Sequence, residues 1–158
     1  MQLLIKQRVF SWSDTYDVYD PYEEARYFVK AEAFSFGHQI HVYDKRTNRE
    51  VGSIHQKLLT FLPQFEIVID GIPVGTIRRA FSFFKPRYHV DFCNWEVEGD
   101  FFLGCDYRAY QGDEQVLSVT REWFHWGDTY VLDYSNASDE IPGLLLTIAI
   151  DAANCNHK

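Results

Sequence analysis

The sequence lacks the features that most directly indicate a metalloprotein, a disulfide-bonded protein or a membrane-spanning protein. Its three cysteines, Cys93, Cys105 and Cys155, form no C-x-x-C pair and leave an odd number. Zinc sites and disulfide frameworks have paired or regularly spaced cysteines. No apolar run approaches the ~20 residues that a membrane-spanning helix needs. We therefore expect reduced thiols, no bound metal, no other cofactor and no transmembrane segment.

Positive charge is also scarce. The 158-residue chain has 15 Lys and Arg against 23 Asp and Glu, a formal net charge of −8 at pH 7. Binding to phosphate backbones requires a basic surface, so this balance argues against nucleic acid as the main partner. The N-terminal segment MQLLIKQRVF has no apolar stretch of signal-peptide length. We expect a cytoplasmic protein, peripheral to the membrane if it binds lipid.

Catalytic motifs are missing as well. The sequence has no G-x-S-x-G elbow and no glycine-rich loop that would hold a phosphate. Its six histidines are scattered, and repetition of the strand pattern explains the equivalent places of His41 and His89 without a metal. We predict no catalytic residues and a protein that is not an enzyme.

Aromatic residues are abundant, and they mark a repeat. They make up 17% of the chain, including 13 Phe and 10 Tyr, and aromatic residues favour strands. Six times an aliphatic anchor is followed, four positions later, by an apolar residue that leads into aromatic residues. The anchors are Ile5, Val29, Ile54, Ile77, Val97 and Val119, with spacings of 24, 25, 23, 20 and 22. Such regular spacing indicates a structural repeat.

After the aromatic residues of each unit, the strand pattern is interrupted for three or four residues rich in Gly, Pro and Asp. Alternating apolar and polar residues follow. Alternation with β-branched and aromatic residues predicts a strand, so each unit holds two strands joined at a corner. Asp70-Gly71 and Gly112-Asp113 are hairpin turn signals between units. Six units give about twelve antiparallel strands, and closure into a barrel removes the exposed edges of so large a sheet.

The C-terminal segment Leu144 to Cys155 is apolar on nearly every side. A helix of this kind must be buried, and the lumen of a barrel of this size is too wide for strand side chains alone. Ser138 is the expected N-cap. We predict a single domain over residues 1–158, an all-β barrel at about 2–135 around a helix at about 139–154. The alternative is a helix on one open face of a sheet.

Four stretches also carry a resemblance to a known family: IKQRVFSWSDTYDVYD, KLLTFLPQFEIVIDG, FSFFKPRYHVD and EWFHWGDTYVLDY. They resemble the LURP-one-related proteins, a branch of the tubby C-terminal-like superfamily that is related to phospholipid scramblases. The resemblance implies a twelve-stranded barrel threaded by a hydrophobic C-terminal helix. Tubby-type domains bind phosphoinositides and tether proteins to membranes, and scramblases act on phospholipids. A role at a phospholipid surface is therefore implied.

Outward positions beside the anchors form a basic arc. The residues one and three positions after each anchor alternate away from the buried face, and in the first four units most of them are basic. The basic arc consists of Lys6, Arg8, Lys30, Lys57 and Arg78. We predict that it contacts anionic headgroups or an acidic partner. The alternative is a solvated strand face whose charges discourage aggregation.

Inward positions hold an unexpected charge. Asp151 lies in the apolar helix, and a lone buried charge is too costly to leave unpaired. We predict that Arg79, Arg121 or polar groups near the helix meet Asp151 and lock the helix to the wall. The alternative is a polar pocket inside the barrel.

The segments FSWSDTY and FHWGDTY begin at Phe10 and Phe124 and share five residues. They are the first and last corners of the repeat, so a closed barrel brings the terminal units together at its seam. We predict structural roles for this motif: Trp12 and Trp126 pack in the wall, while Asp14 and Asp128 accept backbone hydrogen bonds in the turns.

Three classes of function follow from these patterns. The leading one is a non-enzymatic binding or scaffold module that binds phospholipid or phosphoinositide headgroups at a membrane surface. The main alternative is a protein-interaction or regulatory module without lipid binding. An enzyme with an unrecognised site is the third.

Overall fold

The computed structural model describes residues 1–6, 15–34, 37–100, 106–124 and 127–155. Over these ranges the chain forms twelve strands and a C-terminal helix α1. The strands are β1 (Gln2–Lys6), β2 (Thr15–Tyr19), β3 (Ala25–Phe34), β4 (Gly37–Asp44), β5 (Glu50–Gln56), β6 (Gln64–Ile69), β7 (Ile72–Ala80), β8 (Arg87–Val90), β9 (Trp95–Gly99), β10 (Tyr107–Gln111), β11 (Glu114–Phe124) and β12 (Gly127–Tyr134). A 3-10 turn (Ala137–Asp139) leads into α1 (Glu140–Cys155).

The strands form a closed antiparallel barrel. Each pairs with its neighbours in the chain, and β12 pairs with β1. This seam runs over five residue pairs, from Gln2 opposite Asp133 to Lys6 opposite Thr129. The predicted all-β closed barrel is therefore confirmed, as is the meeting of the first and last units.

The six sequence anchors all lie on odd-numbered strands, and each is at most 7% exposed. From β3 onward, each anchor pairs with an inward residue twelve or thirteen positions later on the following strand. These pairs are Val29 with Val42, Ile54 with Ile67, Ile77 with Val90, Val97 with Ala109, and Val119 with Leu132. Each repeat in the sequence is thus one hairpin of nearly constant length followed by a connection of variable length to the next anchor.

The two ends of the barrel differ. Turns from an even strand to the next odd strand lie at one end, called here the turn end. There Asp70 (φ 51°) and Gly71 (φ 77°) form a two-residue hairpin turn, as predicted, and Gly112 (φ 61°) sits in another. Connections from an odd strand to the next even strand lie at the opposite, corner end.

Most of the corner-motif residues fall outside the described residues. Trp12, Asp14 and Trp126 belong to this group. Asp128 lies in β12 with its backbone opposite Trp123, and nothing is described of its side chain. Their structural roles stay predictions.

Helix α1 fills the barrel. Residues 144–150 and both Ala152 and Ala153 are at most 5% exposed, and the helix packs against β5, β6 and β12. The prediction of Ser138 as N-cap is wrong. Ser138 lies within the 3-10 turn, and Asn136, which precedes that turn, makes no side-chain capping bond. The chain passes from the wall to the lumen through this tighter turn.

The wall approaches the helix most closely at a glycine. A Cβ atom added to Gly52 of β5 would lie 2.9 Å from Cδ1 and 3.1 Å from Cδ2 of Leu145. No larger residue fits there unless the Leu145 side chain moves, because the interior is packed at crystal-like density.

Gly52→Val therefore tests the position of the helix. We expect it to lower the free energy of unfolding by about 1–3 kcal/mol through overpacking. Combined with Leu145→Ala, it should cost less than the sum of the single changes, since the smaller side chain makes room. Urea denaturation of the two single variants and the double variant measures this coupling. Strict additivity would contradict the contact.

Candidate functional site

Two neighbouring loops at the corner end carry most of the exposed large apolar side chains in the described parts of the chain. They are the β5–β6 loop (residues 57–63) and the β7–β8 loop (residues 81–86), together called the apolar loops. Their exposed members range from 52% to 106% in relative exposure and are Leu58, Leu59, Phe61, Phe81, Phe83 and Phe84. Exposed apolar surface concentrated in this way marks a site of interaction.

The barrel holds the apolar loops side by side, because β5 to β8 are consecutive strands of the wall. The backbone N–H of Arg79 donates to the carbonyl of Pro63 at 2.9 Å, which ties the bases of the two loops together. The N–H of Lys57 donates to the carbonyl of Gln64 at 2.9 Å and closes the first loop. The two apolar loops are therefore joined at their bases and project from neighbouring positions of the wall.

Local geometry keeps the apolar tips outside the core. The rings of Phe81 and Phe83 meet edge to face with centroids 5.0 Å apart, and the Ser82 hydroxyl donates to the carbonyl of Lys85. Leu59 has φ 62°, in the left-handed region that a bulky residue rarely adopts. Backbone strain of this kind is found at functional sites more often than elsewhere.

The surroundings of the apolar loops are basic. Residues 57–65 and 71–90 contain no Asp or Glu, although the whole chain is strongly acidic. Their basic residues are Lys57, Arg78, Arg79, Lys85 and Arg87. By contrast, residues 91–140 hold twelve acidic and two basic residues. Because the strands follow chain order round the barrel, the basic sector (β5–β8) and the acidic sector (β9–β12) are separate parts of the wall.

Some of the basic side chains in this sector form ion pairs with carboxylates, and others do not. Lys57 pairs with Glu66 at 3.4 Å, and Arg87 pairs with Glu98 at 3.5 Å. Among the described residues, no carboxylate lies within ion-pair distance of Arg78 or Lys85, and both side chains are exposed. Lys85 nevertheless shares a cleft with Glu98, Asp100 and Asp106, so carboxylates surround one of these two cations at longer range.

The predicted basic arc is spread over β1, β3, β5 and β7. Lys30 pairs with Glu32 at 3.0 Å, and the Lys6 ammonium lies 4.3 Å from the centroid of the Tyr19 ring. Arg8 lies outside the described residues. Of the described members of the arc, Lys57 and Arg78 lie close to the apolar loops. A binding role for any member of the arc stays a prediction.

Asp151 lies half-buried near the corner end of α1. The Tyr130 hydroxyl donates to its Oδ1 at 3.3 Å, and Arg121 lies opposite Tyr130 in the sheet. Arg79 is half-buried on β7. The pairing of Asp151 with either arginine stays a prediction.

The space beside Asp151 is small. A cavity lined by Tyr107, Tyr130, Thr147 and Asp151, among others, has a volume of about 10 Å³. A cavity of this size holds roughly one water molecule. This cavity offers no room for an organic ligand.

A second link between helix and wall was not visible in the sequence. Tyr27 of β3 and Tyr134 of β12 both donate their hydroxyls to the carboxylate of Glu140, and Arg26 lies 3.6 Å from it. Burial, and then the bond to Glu140, raises the pKa of both tyrosines. The Met1 ammonium also donates to the Tyr134 carbonyl at 2.9 Å. This cluster fixes the start of α1 at the turn end.

Little in the described residues suggests catalysis. No group of three or more His, Cys, Asp or Glu side chains is arranged there to hold a metal ion. Burial raises the pKa of the Cys93 thiol to about 11, which keeps it protonated and unreactive at neutral pH. No helix in the described ranges has the length and apolar character to cross a bilayer.

Fold and site together define a class of protein: a closed twelve-stranded barrel filled by its own C-terminal helix, with two exposed apolar loops at its corner end. The family model of the LURP-one-related proteins matches residues 1–151, and the chain belongs to that family. It is similar to the uncharacterized protein YxjI of Bacillus subtilis strain 168, at 30% identity over 158 residues. The match covers all of this chain and 96% of the relative. No solved structure matches the chain.

Replacing Glu140 tests the link at the turn end. Glu140→Ala leaves two tyrosine hydroxyls and Arg26 without their acceptor, so we expect a loss of about 1–3 kcal/mol in the free energy of unfolding. Glu24→Ala, an exposed change at the same end, should stay within about 0.5 kcal/mol of the unchanged protein. Chemical denaturation compares the two. Equal small effects would show that Glu140 does not hold the helix.

Proposed function

We propose that this protein is a non-enzymatic module that binds the surface of anionic membranes reversibly through the apolar loops. One observation carries the proposal: in an acidic protein, the most exposed Phe and Leu side chains coincide with the basic sector. Aromatic and aliphatic side chains enter the interfacial layer of a bilayer, while flanking Lys and Arg contact the headgroups. The family resemblance to lipid-associated proteins supports the same reading.

The magnitudes fit reversible binding. Full burial of four tips, such as Leu59, Phe61, Phe83 and Phe84, contributes roughly 6–12 kcal/mol. Each basic residue near an anionic surface adds about 1 kcal/mol. Loss of translational and rotational freedom opposes this by about 4 kcal/mol or more. The sum favours a peripheral protein that attaches and leaves.

A protein partner is the second candidate, because an exposed aromatic patch also fits a protein interface. Lysine is depleted in the centres of protein interfaces, whereas it suits a headgroup layer. Lys85 stands within the apolar β7–β8 loop, beside Phe83 and Phe84. We therefore favour the lipid surface.

The exposed position of the basic side chains favours recognition of membrane charge, without selection of one particular headgroup. Arg78 and Lys85 are both exposed, and the cleft that Lys85 lines also contains Glu98, Asp100 and Asp106, so it does not suit a phosphate. Discrimination between ligands of equal charge needs fixed, buried polar groups. The proposed site should respond to the charge density of the membrane and distinguish anionic headgroups weakly.

Charge reversal tests the basic part of the site. For Arg78→Glu with Lys85→Glu, we expect binding to anionic vesicles at low ionic strength to fall about 30-fold or more, from about 1 kcal/mol per residue. The matched control is Arg46→Glu with Arg49→Glu, the same change at the turn end. Vesicle flotation measures both. Equal losses would point to net charge alone, and absent binding by the unchanged protein would end the lipid proposal.

Polar replacement tests the apolar part. Phe83→Ser with Phe84→Ser should weaken vesicle binding about tenfold per inserted ring, even at high ionic strength. Tyr22→Ser with Ile72→Ser removes exposed apolar side chains from the turn end and should leave binding unchanged. The same flotation assay applies, with vesicles of phosphatidylglycerol and of phosphatidylserine at equal charge. A marked preference for one headgroup would contradict recognition by charge density.

A further inference from the structure

A pair of histidines lies on the outer wall of β4 and β5, away from the apolar loop tips. The ring centroids of His41 and His55 are 6.1 Å apart, with the rings nearly perpendicular. Ser53, which is almost fully buried, faces His41 in the sheet and lies 3.0 Å from Nε2 of His55. Nδ1 of His41 lies 2.6 Å from a carboxylate oxygen of Glu50. Each imidazole is thus held by one polar neighbour.

We propose that His41 and His55 together bind a divalent transition-metal ion, for which zinc is the probe. The contacts above leave Nε2 of His41 and Nδ1 of His55 as coordinating nitrogens. Two imidazoles bound to one ion at about 2.0–2.1 Å place their ring centres roughly 5–6 Å apart, so the observed separation needs only small side-chain rotations. Imidazole is a preferred ligand of zinc, copper and nickel ions.

The surroundings of the pair match those of known metal-binding histidines. A histidine that ligates a metal usually donates its other ring nitrogen to a carboxylate, which fixes the ring and raises its basicity. Glu50 stands in that position for His41. Glu66 lies opposite His55 in the sheet and is largely exposed, paired with Lys57 at 3.4 Å. The two imidazoles are therefore the protein ligands, and water completes the set.

The chain provides its own matched control. His89 lies on the outer wall of β8 and has the same 2.6 Å contact between Nδ1 and a glutamate, Glu96. Its opposite neighbours in the sheet are Arg78 and Glu96, with no second imidazole. His89 therefore has a glutamate partner and no neighbouring histidine in the sheet, whereas His41 has both Glu50 and His55 beside it.

Zinc titration by calorimetry tests the proposal. We expect one zinc ion per chain, with affinity lowered at least tenfold in His41→Gln and in His55→Gln, and unchanged in His89→Gln. Glu50→Gln should lower the affinity by about tenfold, the usual effect of removing such a supporting carboxylate. Circular dichroism melting of each variant confirms that it is folded before titration.

Zinc binding at another place, or no saturable binding, would overturn the proposal. Zinc held by the cysteine thiols or by other histidines would be insensitive to His41→Gln and His55→Gln, and an unsaturable titration would show no site. As a second measurement, one equivalent of zinc should shift the imidazole proton resonances of His41 and His55 in the unchanged protein and leave those of His89 in place. Shifts at His89 alone, or at none of the three, would refute the site without any variant.

Discussion

A closed barrel of twelve strands has a lumen that its own inward side chains cannot fill, and the rest of this structure depends on α1 filling it. The helix supplies apolar atoms on every side, so the inward residues of all strands have a packing partner. Gly52 allows close approach where Leu145 meets the wall. Glu140 with its tyrosines and Asp151 with Tyr130 hold the helix near its two ends.

Helix α1 leaves little free space beside the wall where the structure describes it. The cavity next to Asp151 has room for about one water molecule. The start of α1 lies at the turn end, where Glu140 accepts hydrogen bonds from Tyr27 and Tyr134. The apolar loops lie at the opposite, corner end, away from this link.

The sequence predicted the barrel because strand alternation and a repeat of constant length depend on local residues. Contacts across the barrel, by contrast, join residues that are far apart in the chain, so local patterns do not predict them. Tyr27 and Tyr134 meet Glu140 only after the wall closes, so nothing near Glu140 in the chain indicated the link. Lys57 meets its partner Glu66 only because β5 pairs with β6. His41 and His55 likewise become neighbours through register, in the absence of any spaced motif.

Charge shows how chain order becomes spatial order in this fold. In a barrel whose strands follow one another, a run of basic residues in the sequence becomes a basic sector of the wall, and an acidic run becomes an acidic sector. The basic sector (β5–β8) and the acidic sector (β9–β12) are therefore neighbours that meet where β8 pairs with β9. For the proposed binding to an anionic membrane, we expect the surface to attract the basic sector and repel the acidic sector, which orients the barrel before any apolar side chain inserts. The apolar loops, at the edge of the basic sector, then make the proposed contact.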